Sequence, residues 1–238
     1  MKYYKCLPCK FYRKNKVIDT QYDNYGLWDK IDFSKITKSA DFIINSAKET
    51  NLPLSLFFFM LAYVNGKSLS SDMRLPEILS NDKNKEFCSK IAINDLVGCK
   101  DSLQFVEKTV LIHYANLAKN YSFPFLNGSH LWEYLGETLR KQCDYKLPSR
   151  LNSYFLFDSI QSIDYYQKKH GQKVGVTVAQ VELLETKQID SFDMKIWDME
   201  NNNIPFNECE KNIKKYWESK YNTKEIPEFL FQGKLKLL

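Results

Sequence analysis

The sequence predicts an α+β fold, with an N-terminal strand, a helical middle and a C-terminal half built mainly of strands. Three observations carry this. The chain opens on a loosely alternating stretch, KYYKCL (2–7). Between about 34 and 143 apolar residues recur at helical spacing, and after Pro148 the runs become rich in β-branched and aromatic residues. The expected organisation is a single domain over 1–238, with an N-terminal strand region at 1–20, a large helical insertion at 34–143 and a C-terminal sheet with short helices at 148–238.

In chain order, KYYKCL forms the first strand and KVIDT (16–20) a second. Thr37 and Ser39 stand before ADFIINSAKE as candidate caps, and Pro53 opens LPLSLFFFMLAYV (52–64), which ends before Gly66. That stretch is too short to cross a bilayer and reads as a buried core helix. Ser102 caps a helix whose Leu103, Val106, Val110 and Leu117 share one face, with His113 at its core or edge. Ser129 precedes another helix, burying Trp132, Leu135 and Leu139 and carrying Glu133, Glu137 and Arg140 on an adjoining stripe. LNSYFLF (151–157), VGVTVAQVELLE (174–185), DMKIWDM (193–199) and EFLFQGKLKLL (228–238) read as strands. Between the last two, FNECEKNIKKYWESKY is an amphipathic helix with Phe206, Cys209, Ile213 and Trp217 on one face.

Composition is that of an ordinary soluble domain, 44% hydrophobic and 26% charged. Glycine is scarce at 8 residues, and neither GxGxxG nor GxxxxGK[ST] occurs, which argues against nucleotide sites built on those loops. No GxSxG elbow and no Cys–His pairing supports a hydrolase. Of six cysteines only Cys6 and Cys9 have ligand-like spacing, and Cys88, Cys99, Cys143 and Cys209 supply no second pair, so no metal site is expected. The start lacks an apolar leader core, and a cytoplasmic protein without membrane contact is expected. The net charge of +5 is mild, with basic runs in KFYRKNK (10–16), KNIKK (211–215) and the KLK tail.

The stretch PSRLNSYFLFDSIQSIDYYQKKHG (148–171) concentrates the candidate chemistry. An apolar strand breaks at Asp158 and Ser159, either of which caps the following helix, and Gly171 ends it. Ile160, Ile163 and either Tyr165 or Tyr166 face the sheet, while Gln161, Asp164, Lys168 and Lys169 face water. The tyrosines either pack in the core or stack on a flat ligand. Arg150 either pairs with Glu133 or Glu137 or binds an anion through its planar fork. Ser153, between Leu151 and Phe155 on one strand face, is open to both readings.

The order of apolar strand, Asp-Ser, helix and late tyrosine resembles ADP-ribosyltransferases, especially the poly-ADP-ribose polymerase group. The C-terminal IPEFLFQGKLKLL is similar to the last strands of that fold. The flanks EYLGETLRKQCDYKLPSRLNSYFLFDS and KKYWESKYNTKEIPEFLFQGKLKLL also resemble a family of small bacterial proteins of unknown function grouped with such folds. The resemblance implies an ADP-ribosyltransferase-like split β-sheet core interrupted by the helical insertion, and NAD as co-substrate. It implies Glu228 as the catalytic carboxylate at the ribose, with Glu225 a nearby rival, and Tyr166, or Tyr165, stacking on nicotinamide. Arg150 would hold the pyrophosphate, and Ser149, Ser153 and Tyr154 would line the ribose and carboxamide. Where those groups carry histidine or arginine in the first strand, this chain offers Lys5 or Tyr4.

The function expected on that basis is ADP-ribosyl transfer to a macromolecular acceptor, protein or nucleic acid. A toxin or defence effector of this kind would need an inhibitory partner. Two alternatives stand beside it. One is a non-catalytic descendant that binds NAD, another nucleotide or a protein partner. The other is a nucleic-acid-binding module in which Tyr3, Tyr4, Tyr165 and Tyr166 stack bases.

Overall fold

The computed structural model describes residues 2–67, 108–170, 175–199 and 204–238, with the backbone alone at 108–112. The elements are β1 (Tyr3–Pro8), β2 (Val17–Asp19), α1 (Tyr25–Trp28), α2 (Phe33–Thr50), α3 (Leu54–Val64), α4 (Lys108–Ala118), α5 (Ser129–Asp144), β3 (Tyr154–Leu156), α6 (Ile160–Lys169), β4 (Val176–Asp193), α7 (Met194–Trp197), α8 (Phe206–Glu218) and β5 (Pro227–Leu237). The chain divides into two compact units. One comprises 1–32, 136–199 and 212–238, and the other 33–135 and 200–211.

The first unit is organised by a curled antiparallel sheet in the order β1-β4-β5-β2, with β3 also paired to β5. β4 and β5 are its spine, running from Val181↔Leu237 to Asp193↔Pro227. Alternation along the strands sorts side chains onto two faces. Leu7, Tyr154, Leu156, Ala179, Val181, Phe229, Phe231, Leu235 and Leu237 form one buried cluster, flanked by Tyr3. Cys6, Phe157, Ile163, Met194 and Ile226 form a second, with Tyr4, Tyr165 and Tyr166 packed against it.

The β4–β5 ladder has register shifts between Leu183 and Glu185 and between Thr186 and Gln188. Gly233 lies opposite Thr186 with φ 143°, and a Cβ there would come within 2.0 Å of the Glu185 carbonyl oxygen. Only glycine permits that backbone and that approach. Thr20 fastens the same point, its Oγ1 accepting from Gly233 N at 2.9 Å and its own N–H donating to Gly233 O at 3.0 Å.

The second unit is helical. α2 packs on α3, and α3 on α4. α3 is buried almost throughout, including Leu54, Phe57, Met60, Leu61 and Ala62, as its unbroken apolar run requires. Rings interlock within it: Phe42 stacks on Tyr121 at 4.5 Å, and Phe57 meets Tyr114 edge-on at 5.1 Å. No described helix is long and apolar enough to cross a membrane.

The structure corrects several sequence expectations. DMKIWDM is not a strand: β4 runs unbroken to Asp193, whose carboxylate accepts from Lys195 N at 3.0 Å and starts α7. Thr37 and Ser39 lie inside α2 rather than capping it. Their hydroxyls donate to the Phe33 carbonyl at 2.6 Å and the Ser122 carbonyl at 2.7 Å. Ile160 is 73% exposed, and of the first turn of α6 it is Ser162 and Ile163 that are buried. Ser159 is the cap of α6, accepting from Ser162 N at 3.2 Å. His113 and Leu117 are exposed, and Trp132 is half-buried. Ser102, Leu103 and Val106, Gly171, Cys88 and Cys99 lie outside the described residues, as does the side chain of Val110.

Gly233→Ala is expected to lower stability by more than about 1 kcal/mol, read as a fall in the urea midpoint with the far-ultraviolet spectrum retained. An unchanged midpoint would mean that the β4–β5 ladder relaxes freely at that point.

Candidate functional site

Arg150 and Glu228, 78 residues apart in sequence, form a buried ion pair. Arg150 Nη1 donates to Glu228 Oε1 at 2.7 Å and to the Tyr216 hydroxyl at 2.7 Å, and that hydroxyl donates to the same Oε1 at 2.9 Å. The arginine is 6% exposed, the glutamate 3% and the tyrosine 0%. Aromatic rings enclose the guanidinium, whose Cζ lies 4.0 Å from the centre of Trp197, 4.7 Å from Phe155 and 5.3 Å from Tyr216. Burial drives the Tyr216 hydroxyl well above its ordinary range, so it stays a protonated donor. Both bonds to the carboxylate end on Oε1, and Oε2 takes no hydrogen bond from a described residue.

Each member is aimed by local structure. Arg150 sits in a turn closed by Asn152 N to Ser149 O and Ser153 N to Arg150 O, both 3.2 Å. The Ser153 hydroxyl donates to Ser149 O at 2.7 Å and accepts from Gln232 Nε2 at 3.2 Å. Upstream, Arg140 grips Glu137 through two nitrogens and donates to the Tyr145 carbonyl at 2.8 Å, fixing the chain that leads into the turn. Glu137 is therefore the partner of Arg140, and Arg150 pairs with Glu228. The start of β5 is held by Asp193, whose carboxylate accepts from Glu225 N at 2.8 Å and Ile226 N at 3.2 Å.

Glu228 lies opposite Phe192, on the face where Tyr216 stacks at 5.2 Å. Trp197 reaches Arg150 because residue 136 is glycine: a Cβ there would come within 2.5 Å of the Trp197 ring. Trp217 anchors the same helix, its indole donating to Gly136 O at 3.0 Å.

The remaining sequence candidates separate. Tyr154 belongs to the first cluster, its hydroxyl donating to Asp23 Oδ1 at 3.4 Å, and Lys5 Nζ lies 4.5 Å above the Tyr154 ring and 5.8 Å from that of Phe155. Burial lowers the Lys5 amine to about 8, against opposing pulls from Cys6, Asp23 and Glu228. Tyr4, Tyr165 and Tyr166 are half-buried against the second cluster, and Tyr3 packs edge-on against Phe229 at 5.1 Å. The Tyr166 ring is flanked by Phe157 at 5.0 Å and His170 at 4.8 Å, whereas Tyr165 makes no ring contact with a described residue. Glu225 is exposed and pairs with Lys195, so it is not a rival to Glu228 in the network. Cys6 is buried and Cys9 exposed, with Thr177 donating to the Cys9 sulfur at 3.1 Å.

Sequence reasoning missed Tyr216 and Trp197. Tyr216 was hidden by its neighbour, since the apolar stripe of α8 puts Trp217 inward and leaves an adjacent tyrosine ambiguous. Trp197 was hidden by the reading of 193–199 as a strand.

Removing one partner of a buried ion pair is costly, about 3–5 kcal/mol, because the other charge is stranded. Glu228→Leu should therefore cost about that much in urea unfolding, and Arg150→Met with Glu228→Leu should cost less than Glu228→Leu alone. Additive costs would show that the two charges act separately. Lys5 gives a pH signature. Its folded value of about 8 lies below the ordinary 10.5, so the penalty for charging it is fully present below about pH 8 and fades as pH rises towards 10.5. Lys5→Met should raise the melting temperature near pH 7, with the gain shrinking towards about pH 9.5, below the ordinary tyrosine range.

A family model described as a protein of unknown function (DUF2441) matches residues 43–238. No curated protein matches the chain. Arg150, Tyr216 and Glu228 all lie within the matched residues, which cover most of the sequence: the chain belongs to the DUF2441 family.

Proposed function

We propose that the protein is an NAD-dependent ADP-ribosyltransferase of the ADP-ribosyltransferase-like fold, with Glu228 as its catalytic carboxylate and a protein or nucleic acid as acceptor. The observation that carries the reading is the way Glu228 is held. Arg150 and Tyr216 fix the carboxylate through Oε1 alone, and Oε2 has no donor among the described residues. A carboxylate paired with an arginine, with one oxygen taking no bond from a described residue, is suited to accept a hydrogen bond from a ribose hydroxyl.

In the reaction the bond between ribose C1′ and the nicotinamide nitrogen breaks, and its electron pair leaves with nicotinamide. The ribose passes through an oxocarbenium-like state that the Glu228 negative charge stabilises. An acceptor nucleophile then bonds to C1′ and gives up its proton to solvent. Oxidised nicotinamide is a flat cation, and of the two candidate tyrosines Tyr165 has the ring without an aromatic neighbour among the described residues, so the stacking role is assigned to it. Arg150 serves as the positioning residue for Glu228 rather than as the pyrophosphate clamp, since its Nη1 is engaged within the network.

A second reading has its own observation. Glu228 is only 3% exposed, and the first strand offers Lys5 in place of histidine or arginine, its Nζ held 4.5 Å above the Tyr154 ring. That geometry favours a non-catalytic descendant that binds NAD without cleaving it.

Released nicotinamide separates the two. Wild-type turnover that falls roughly 10²–10³-fold in Glu228→Gln, with the near-ultraviolet spectrum retained, supports catalysis. Tyr165→Ala should then raise KM more than it lowers kcat. No turnover with an NAD-dependent rise in melting temperature supports the binding descendant, and equal turnover in Glu228→Gln removes Glu228 from the chemistry.

A further inference from the structure

The charge of the protein is concentrated at its beginning. Residues 2–30 hold seven basic residues against three acidic ones, a net +4 out of +5 for the whole chain. The connection from β1 to β2 carries Lys10, Arg13 and Lys14, all exposed. No described carboxylate lies at ion-pair distance from any of the three. The Arg13 guanidinium donates only to the carbonyls of Lys10 and Tyr12, at 3.1 and 2.7 Å, which leaves its charge unneutralised.

Exposed aromatic rings lie among these cations. Phe11 is 41% exposed, Trp28 42% and Tyr22 74%. Phe11 and Trp28 meet edge-to-face at 5.0 Å, so two segments of chain build one aromatic corner, and Lys10 Nζ lies 4.9 Å from the Phe11 ring centre. The corner is fixed rather than free. Asn15 N donates to Leu237 O at 2.8 Å, Leu237 N to Lys16 O at 3.0 Å, the Tyr12 hydroxyl to Leu238 O at 2.9 Å and Cys9 N to Gly175 O at 2.7 Å. The connection is thus tied to the residue before β4 and to the end of β5, which cuts the ordering cost of binding.

We propose that this face binds single-stranded nucleic acid, with bases stacked on Phe11 and Trp28 and phosphates held by Lys10, Arg13 and Lys14. A nucleotide repeat supplies a flat ring and an anion together, which matches rings interleaved with unpaired cations. An acidic peptide supplies the anion alone. A duplex hides the base faces in its stack. None of these residues belongs to the Arg150–Glu228 network, so the inference stands or falls separately from NAD chemistry.

The test is fluorescence anisotropy of the full chain with labelled single-stranded DNA and RNA of about 16 nucleotides, the upper range of such sites, across a salt series. Three phosphate contacts predict a log–log salt slope of about −2. Lys10→Ala, Arg13→Ala and Lys14→Ala together should weaken binding for every sequence and bring the slope towards zero. Phe11→Ala with Trp28→Ala should weaken it roughly tenfold or more at unchanged slope. Circular dichroism checks the fold of each variant, and Lys14→Glu, a single exposed loop change, must also weaken binding. A preference for RNA or for DNA tells the source of the strand. The proposal is overturned by absent binding at low salt, by variants that bind like wild type, by equal affinity for a duplex or poly-glutamate, or by binding to anionic vesicles without binding to either strand.

Discussion

The first unit depends on one buried contact, the bond from Arg150 to Glu228 through which a turn, a helix and the last strand are joined. The pair lies where water cannot screen it, so its attraction is strong, but so is the cost of bringing both charges there. Tyr216 and the rings of Trp197 and Phe155 reduce that cost, the phenol by donating to the carboxylate and the rings by offering their faces to the guanidinium. A lysine at 150 would lose the planar cation that stacks between rings. The neighbouring features follow from this requirement. Gly136 must lack a Cβ so that Trp197 can come in, and Arg140 must hold the approach to the turn.

The site and the sheet are coupled through Asp193. Its side chain both caps α7, which delivers Trp197, and accepts from the backbone just before β5, which delivers Glu228. The Ser219 hydroxyl closes this group by accepting from Asp193 N at 2.9 Å and donating to Tyr216 O at 2.6 Å. One carboxylate therefore sets the position of the cage and of the residue inside it. That arrangement leaves the network with few independent ways to move.

Local pattern made the strands at 3–8 and 227–237 and the helices at 54–64 and 206–218 legible in the sequence, because each has a run of apolar residues at one clear period. It failed where tertiary contacts overrule the pattern. DMKIWDM has strand-like residues, but Asp193 ends the ladder and caps a helix turn, a choice made by backbone groups more than 30 residues away at Glu225 and Ile226. Thr37 and Ser39 look like caps, yet their hydroxyls bond to carbonyls and the helix passes through them. Arg150 and Glu228 were both legible as unusual charges beside apolar runs. Their pairing was not, since Glu133 and Glu137 are nearer in sequence and only the fold brings residue 228 to residue 150. The paired tyrosines stood out in sequence, but the structure packs them partly against a cluster, while Phe11 and Trp28, in a stretch that reads as merely basic, have exposed rings.

A hydrophobic pair of similar volume would often serve stability as well as a buried ion pair does, so retaining charges at 150 and 228 calls for a physical reason. Strand register supplies one. The β4–β5 ladder carries two irregularities within six residues, and a slip of one position would turn Glu228 from the Phe192 face to the face of Phe229 and Phe231. Leucine at 228 would tolerate either face. Glutamate tolerates only the one where Arg150 waits, and Gly233, with Glu185 O against its Cα, fits in only one place at the other end of the strand. Register is thus pinned twice, by a charge at the start of β5 and by a missing side chain near its end. The same pinning holds the carboxylate still, with one oxygen bound and no described residue donating to the other, which is the arrangement that the role proposed for Glu228 calls on.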